Sequence, residues 1–345
     1  MELSRNNHYI PRMYLSRWRA NGRISAYRLL VSHEKVPLWN RESIKRVGCL
    51  PNLYVNVRNE EELDTLEHDL DSLIESPAKI PFNKICVGER LTAEEWRRVC
   101  RYIAVQYVRT PAFYFWAKDL GAELLKQELD RIGKQLENLK EIPKEEKHST
   151  VGTDYLPVNV RITDVKPDEK HTYIEISATA GKGLWLFEIK QTMEPSSILR
   201  RYFQRLRWNI IYAPDGENWP TCDNPVIVCD INNNRIIRSP ASNGLVGKNK
   251  GILFPVSPKI VLLATTVRSY RWNNIQADEA LALMIRKAIV NNAMMYVYSY
   301  DEDMRIPSIR NRTVDEGEYN RLKNDFDTWF ETYKEIEGPL LNRQF

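Results

Sequence analysis

Ile252-Leu253-Phe254-Pro255-Val256-Ser257-Pro258-Lys259-Ile260-Val261-Leu262-Leu263-Ala264-Thr265 carries two short apolar runs separated by a Ser-Pro-Lys break. Runs of this length bounded by turn formers read as strands, here over Ile252 to Val256 and Ile260 to Thr265. They fall well short of the roughly 20 apolar residues that a membrane-spanning helix needs. Strand patterns recur over Leu156 to Ile162, Thr172 to Ala178, Trp208 to Tyr212, Val226 to Cys229 and Ile236 to Ser239, and helical ones over Pro195 to Leu206, Ala277 to Asn292 and about Asp315 to Ile336. Strands in hairpin-length steps with occasional helices predict a mostly antiparallel sheet, hence an α+β fold and not a doubly wound one.

The N-terminal half reads as mainly helical. Pro11 suits the first turn of a short helix through Met13, Tyr14, Leu15 and Trp18, which Asn21-Gly22 ends. Strand-like runs follow at Arg23 to Leu30 and Leu53 to Val57. From Glu60 onward, Leu63, Leu66, Leu70 and Leu73 recur at helical spacing, with carboxylates in the expected first turn. Thr92-Ala93-Glu94-Glu95 is a capping box opening a second helix through Trp96, Val99, Ile103 and Tyr107, and Pro111 is placed to kink or end it. Phe113 to Leu139 predicts a third helix with near-heptad leucines, packed on its own domain or serving as an arm for oligomerisation or a partner protein. Glu141 to Lys147 reads as a surface connection. The expectation is one integrated domain over 1–345, with a helical arm at about 60–145 and a sheet-rich part at about 150–300.

With 345 residues, 43% of them hydrophobic, the chain can bury one large core or two ordinary ones. Fifty Lys and Arg against 46 Asp and Glu leave a formal charge of +4, too small to name nucleic acid as a partner by itself. Five scattered cysteines without a Cys-x-x-Cys pair argue against a disulfide framework and a structural zinc site. With no apolar leader at the N-terminus, a reducing cytoplasm and no membrane are the expectation.

His8-Tyr9-Ile10-Pro11-Arg12-Met13-Tyr14-Leu15, followed by Trp18, resembles the start of a bacterial family catalogued as domain of unknown function 4238. Leu66-Glu67 and Ile74-Glu75, Gln106 to Pro111, Thr221-Cys222-Asp223-Asn224-Pro225-Val226, Phe254 to Pro258 and Asn291-Asn292 resemble its later landmarks in order. Thr221-Cys222 stands where Ser or Thr directly before the Asp is expected, which leaves the Asp-Asn-Pro core intact. The resemblance spans roughly residues 6–300 and implies that these scattered polar residues belong to one domain. It supplies no reaction, and its association with mobile elements or phage defence is associational only.

Four residues carry the acid–base and anion-binding types that phosphodiester chemistry requires: His8, Glu75, Arg109 and Asp223. An imidazole transfers protons near neutral pH, although a structural histidine fits His8 equally. Glu67, Asp71 and Glu75 recur every four residues, which is either a solvated helix face or a carboxylate series from which Glu75 turns inward. A guanidinium at Arg109, three residues after Gln106, suits a carboxylate or a phosphate. Asp223-Asn224-Pro225 is either a turn or a fixed base and ligand at a strand edge. Arg97, Arg98 and Arg101 form one basic cluster; Arg200, Arg201, Arg205 and Arg207 form another, in which Arg201 and Arg205 share a face that is either solvated or phosphate-binding.

Gly244 to Asn249 lacks the spacing of a phosphate loop, and neither Gly-x-Gly-x-x-Gly nor Gly-x-Ser-x-Gly occurs. A P-loop ATPase, a Rossmann dehydrogenase and a serine hydrolase of the elbow type are therefore disfavoured. The expected function is a nuclease-like or other phosphoryl-handling effector. In it His8, Glu75 and Asp223 do the chemistry, while Gln106, Arg109, Asn224, Arg201 and Arg205 hold the anion. The alternative is a non-catalytic module for nucleic acid, a nucleotide signal or a partner protein. No cofactor is expected, with a divalent metal as the less favoured option.

Overall fold

A computed structural model describes residues 6–58, 61–63, 65–119, 123, 158–161, 175–178, 182–232, 235–238, 245, 249–266 and 274–336. In chain order its strands begin with β1 (Asn6–His8), β2 (Ile24–Arg28), β3 (Leu30–Val31), β4 (Trp39–Glu42), β5 (Cys49–Pro51), β6 (Asn56–Arg58) and β7 (Glu61–Leu63). Then come β8 (Val158–Arg161), β9 (Glu175–Ala178), β10 (Arg207–Tyr212), β11 (Thr221–Cys222), β12 (Ile227–Asn232) and β13 (Arg235–Arg238). The last are β14 (Lys250–Ser257), β15 (Ile260–Thr265), β16 (Ile275–Gln276), β17 (Tyr296–Ser299) and β18 (Thr313–Val314). Helices are α1 (Arg12–Leu15), α2 (Thr65–Asp69), α3 (Ser76–Cys86), α4 (Ala93–Val108), α5 (111–119), α6 (Lys182–Met193), α7 (Ile198–Arg205), α8 (Glu279–Asn292), α9 (Arg305–Ile309) and α10 (Glu316–Ile336).

The two apolar runs that opened the sequence are β14 and β15, paired antiparallel in the middle of a six-stranded sheet of order β13-β12-β14-β15-β10-β16. Only the edge pair β10–β16 is parallel among the described strands of that sheet. Alternate residues enter two different cores. Ile252, Phe254, Val256, Ile260, Leu262 and Ala264 pack with Phe82, Tyr102, Trp185 and Phe203 from α3, α4, α6 and α7. Leu253, Val261 and Leu263 pack with Ile285 and Ile289 of α8. A strand covered on both faces has no polar side to show, so these runs are continuous where a half-exposed strand would alternate.

The mixed α+β class with mainly antiparallel sheets is what the structure has, but the N-terminal half is richer in strand than expected. A second sheet of order β11-β17-β2-β4 joins residues 24–42 to the far end of the chain. The register sets Tyr27 opposite Val297 and Trp39. Glu61–Leu63, expected as a helical first turn, is instead strand β7, paired with β6. Helix begins at Thr65, runs through a π-helical segment, Leu70–Glu75, and continues as α3. The wider π turn shifts the helical phase by about one residue. Leu66, Leu70, Ile74, Ala78 and Phe82 therefore share the buried face, while Leu73, expected there, is 46% exposed.

Thr92 and Glu95 form the reciprocal capping box, Glu95 N–H to Thr92 Oγ1 at 3.2 Å and Thr92 N–H to Glu95 Oε2 at 2.8 Å. Pro111 starts a helix and does not merely end one: Thr110 Oγ1 accepts from Phe113 N–H at 3.3 Å, so Thr110 caps α5 with proline at its first position. Helix α6 and strands β4 and β17 were not anticipated. The leucine positions Leu120, Leu124, Ile132, Leu136 and Leu139 and the connection Glu141 to Lys147 lie outside the described residues.

Gly251 in β14 faces Ile231, and a Cβ there would overlap the Ile231 side chain and come within 3.0 Å of the Ala264 carbonyl oxygen. Gly251→Ala is expected to cost about 1–3 kcal/mol through overpacking, read as a lowered urea midpoint. An unchanged midpoint would mean that β12 and β14 are not clamped here.

Candidate functional site

Residues 7–18 form a short strand, a turn and a helix that touch nearly every other distinctive segment. Asn7 Oδ1 accepts from Tyr54 N–H at 3.2 Å. The His8 carbonyl accepts from Arg109 Nη2 at 2.5 Å, and the Tyr9 carbonyl from Gln106 Nε2 at 2.8 Å. Tyr14 donates to the Pro255 carbonyl at 2.9 Å and pairs with Thr221 Oγ1 at 2.6 Å, while Trp18 Nε1 donates to the Trp219 carbonyl at 2.8 Å. The first segment is thereby fixed to both halves of the chain.

Arg109 sits just past the end of α4, where the helix places it beneath β1. It is 1% exposed, and besides His8 it reaches Glu75 Oε1 at 2.9 Å and the Tyr54 hydroxyl at 3.3 Å. Burial holds the Glu75 carboxyl above the usual carboxylate range, and the Arg109 guanidinium offsets only part of that rise. His8 enters this cluster through its main chain. Its imidazole points elsewhere, with Nε2 3.3 Å from the Ile44 carbonyl oxygen and 3.4 Å from Arg12 Nε. Burial and the Arg12 charge lower the His8 pKa to about 4, so the ring is neutral at pH 7.

Asp223 leaves β11 at the junction between α8 and β17. Its carboxylate accepts from the N–H groups of Met294 at 2.7 Å, Met295 at 2.5 Å and Tyr296 at 3.0 Å. Burial raises its pKa to about 6 against the pull of these three donors. Asn224 Oδ1 accepts from Thr110 Oγ1 at 3.3 Å, linking the Asp-Asn-Pro turn to the residue after Arg109. Asn292 Nδ2 donates to the Asn224 carbonyl at 2.6 Å, and Asn292 Oδ1 accepts from Arg238 Nε at 2.9 Å.

This chain of contacts ends in an open cleft of about 830 Å³ between β13 and α8. Arg238, Lys287 and Arg310 line it together with Asn291, Ile237 and Met284, and none of the described lining residues is acidic. Arg310 is steadied by the Ala293 carbonyl at 2.7 Å. Its charge is disfavoured by burial and by Arg238, and favoured by Asp223 behind the wall. Sequence reasoning missed all three cations because they are far apart in the chain; the only signal was Asn291-Asn292, one helical turn after Lys287.

Of the expected site residues, His8, Glu75, Gln106 and Arg109 meet in one buried cluster, and Asp223 and Asn224 adjoin it through Thr110. Arg201 and Arg205 lie together on the exposed side of α7, away from the buried Phe203. Among the described residues, no three of His, Cys, Asp and Glu stand together as metal ligands, and no helix is long and apolar enough to cross a membrane.

A family described as Protein of unknown function (DUF4238) matches residues 6–303. The chain belongs to the DUF4238 family. The segments that resembled this family therefore lie within the matched span, and in the structure they touch one another. Neither the curated proteins nor the solved structures contain a match to this DUF4238 chain.

Arg109→Met would leave Glu75 as a buried carboxylate without its cation, at an expected cost of about 3–5 kcal/mol. Urea unfolding of Arg109→Met, Glu75→Leu and the double variant should show the double losing clearly less than the sum; additivity would mean the two are uncoupled.

His8 has a folded pKa of about 4 against 6.5 for the free group, so the unfolded chain takes up the proton first and stability falls as pH drops through that window. Asp223, at about 6 folded against 3.8, acts in the opposite sense, losing stability as pH rises between those values. Between pH 7 and about 4.5, His8→Gln should remove up to about 3 kcal/mol of acid destabilisation. Identical pH profiles for variant and wild type would refute a buried neutral imidazole.

Proposed function

We propose that this protein is a binding module for a small phosphorylated ligand of nucleotide size, taken in the cleft between β13 and α8. The observation that carries this reading is the convergence of Arg238, Lys287 and Arg310 on one concave surface with no acidic residue among the described lining. Guanidinium and ammonium groups bind phosphate oxygens, the first in a two-pronged geometry and the second as a point charge. A volume of about 830 Å³ lies in the range typical of small-molecule sites, and Ile237 and Met284 offer apolar contact for a base or ring. Arg238 and Arg310 are already held by Asn292 and Ala293, so little side-chain freedom remains to be lost on binding.

The phosphodiester-cleaving alternative uses His8, Glu75 and Asp223 as catalysts and Arg109 as the phosphate holder. It requires those groups to meet a substrate, whereas His8, Arg109 and Asp223 are each no more than 5% exposed and bonded to protein. The binding reading asks for no such rearrangement.

Titration calorimetry with a panel of nucleoside mono-, di- and triphosphates, dinucleotides and cyclic dinucleotides tests the proposal. At least one member should bind, and Lys287→Glu, an exposed change, should weaken it about tenfold or more by turning attraction into repulsion. Failure of the whole panel, or an affinity unchanged in Lys287→Glu, rejects the site.

A further inference from the structure

The two arginine clusters that stand about a hundred residues apart in the sequence lie on adjoining helices, because α4 packs against α7. Between them, closed on one side by the π-helical segment, is a cavity of about 350 Å³ whose lining includes Leu73, Glu94, Arg97, Arg98, Arg101 and Arg200. Arg101 Nη2 and Arg200 Nη1 both donate to the Met193 carbonyl, at 2.9 and 3.5 Å. Two cations are thus gathered on one neutral acceptor. Arg101 Nε is buried with no hydrogen-bond partner among the described residues. Burial and the neighbouring Arg200 charge both disfavour the Arg101 cation, and the Glu194 carboxylate offsets them only in part.

The one carboxylate among the described lining residues is already engaged. Glu94 meets Arg97 at 3.1 Å and Arg98 at 3.6 Å, both on the exposed rim. Inside the cavity the Arg101–Arg200 pair has spare N–H groups and like charges held together, which the Glu194 carboxylate offsets only in part. An anion with several acceptor oxygens would satisfy both conditions. Beyond the cavity, Arg201 and Arg205 are exposed on α7 and Arg207 is exposed at the start of β10. A lone phosphate would use the inner pair and leave these outer arginines idle; a chain of phosphates would use both.

We propose that the α4–α7 surface binds the phosphodiester backbone of a nucleic acid, with Arg101 and Arg200 holding one phosphate in the cavity and the exposed arginines contacting its neighbours. Binding of this kind reads charge and spacing, not base sequence, and weakens steeply with salt. It shares no residue with the β13–α8 cleft, so the two sites stand or fall separately.

Fluorescence anisotropy of the full chain with labelled single-stranded RNA and duplex DNA of about 20 nucleotides, between about 50 and 200 mM salt, tests this. Wild type should bind with a clearly negative slope of log affinity against log salt. Arg101→Ala/Arg200→Ala should weaken binding about tenfold or more and flatten the slope by about one, for the one phosphate no longer held. If the double variant melts early, Arg97→Glu/Arg98→Glu on the exposed rim carries the test, with the same loss expected. No binding at about 50 mM salt, or affinity and slope unchanged in the folded variants, overturns the proposal.

Discussion

Arg109 holds a full positive charge almost out of contact with solvent and distributes it to a carboxylate, a hydroxyl and a main-chain carbonyl on three separate segments. Removing a guanidinium from water is tolerable only when its donors find strong acceptors in place. The π-helical turn carrying Glu75, the strand carrying His8 and the loop carrying Tyr54 must therefore arrive together. That requirement, more than any single apolar contact, fixes how the N-terminal segment lies on α4.

The same segment then reaches across to the sheet. Tyr14 and Trp18 bond Thr221, Pro255 and Trp219, and Thr110 bonds Asn224. The polar network thus runs along the boundary between the core shared with the helices and the core shared with α8. It emerges at Asn292 and Arg238, where the wall of the cationic cleft begins. Buried polar networks of this kind specify one arrangement because each unmet group would be costly.

How legible this was depended on how local the cause was. The β14 and β15 runs, the capping box at Thr92 and the helix of Glu279–Asn292 follow from neighbouring residues, and the sequence pattern places them within a residue or two. The phase of the helix at Leu73 was misread because its π turn answers to Glu75 and its partner Arg109, which lie 34 residues apart. Strands β4 and β17 were missed because each depends on pairing with β2, a tertiary condition that short windows do not contain. Arg109 and Asp223 stood out early by residue type. What hid their roles was direction: the pattern names a charged group but does not say that it faces inward, nor that His8 contributes a carbonyl where an imidazole was expected.

Asp223 ties three successive amides, those of Met294, Met295 and Tyr296, to a carboxylate from a different part of the chain. The end of a helix is ordinarily where a protein frays, since its last groups are held only by their own neighbours. Here the passage from α8 into β17 is fastened by a buried anchor more than 70 residues away in the chain. These amides open to solvent only when the β11 turn lets go as well, which makes them part of a large cooperative unit and not of a local one. The cleft bordered by α8 consequently inherits the lifetime of the whole fold.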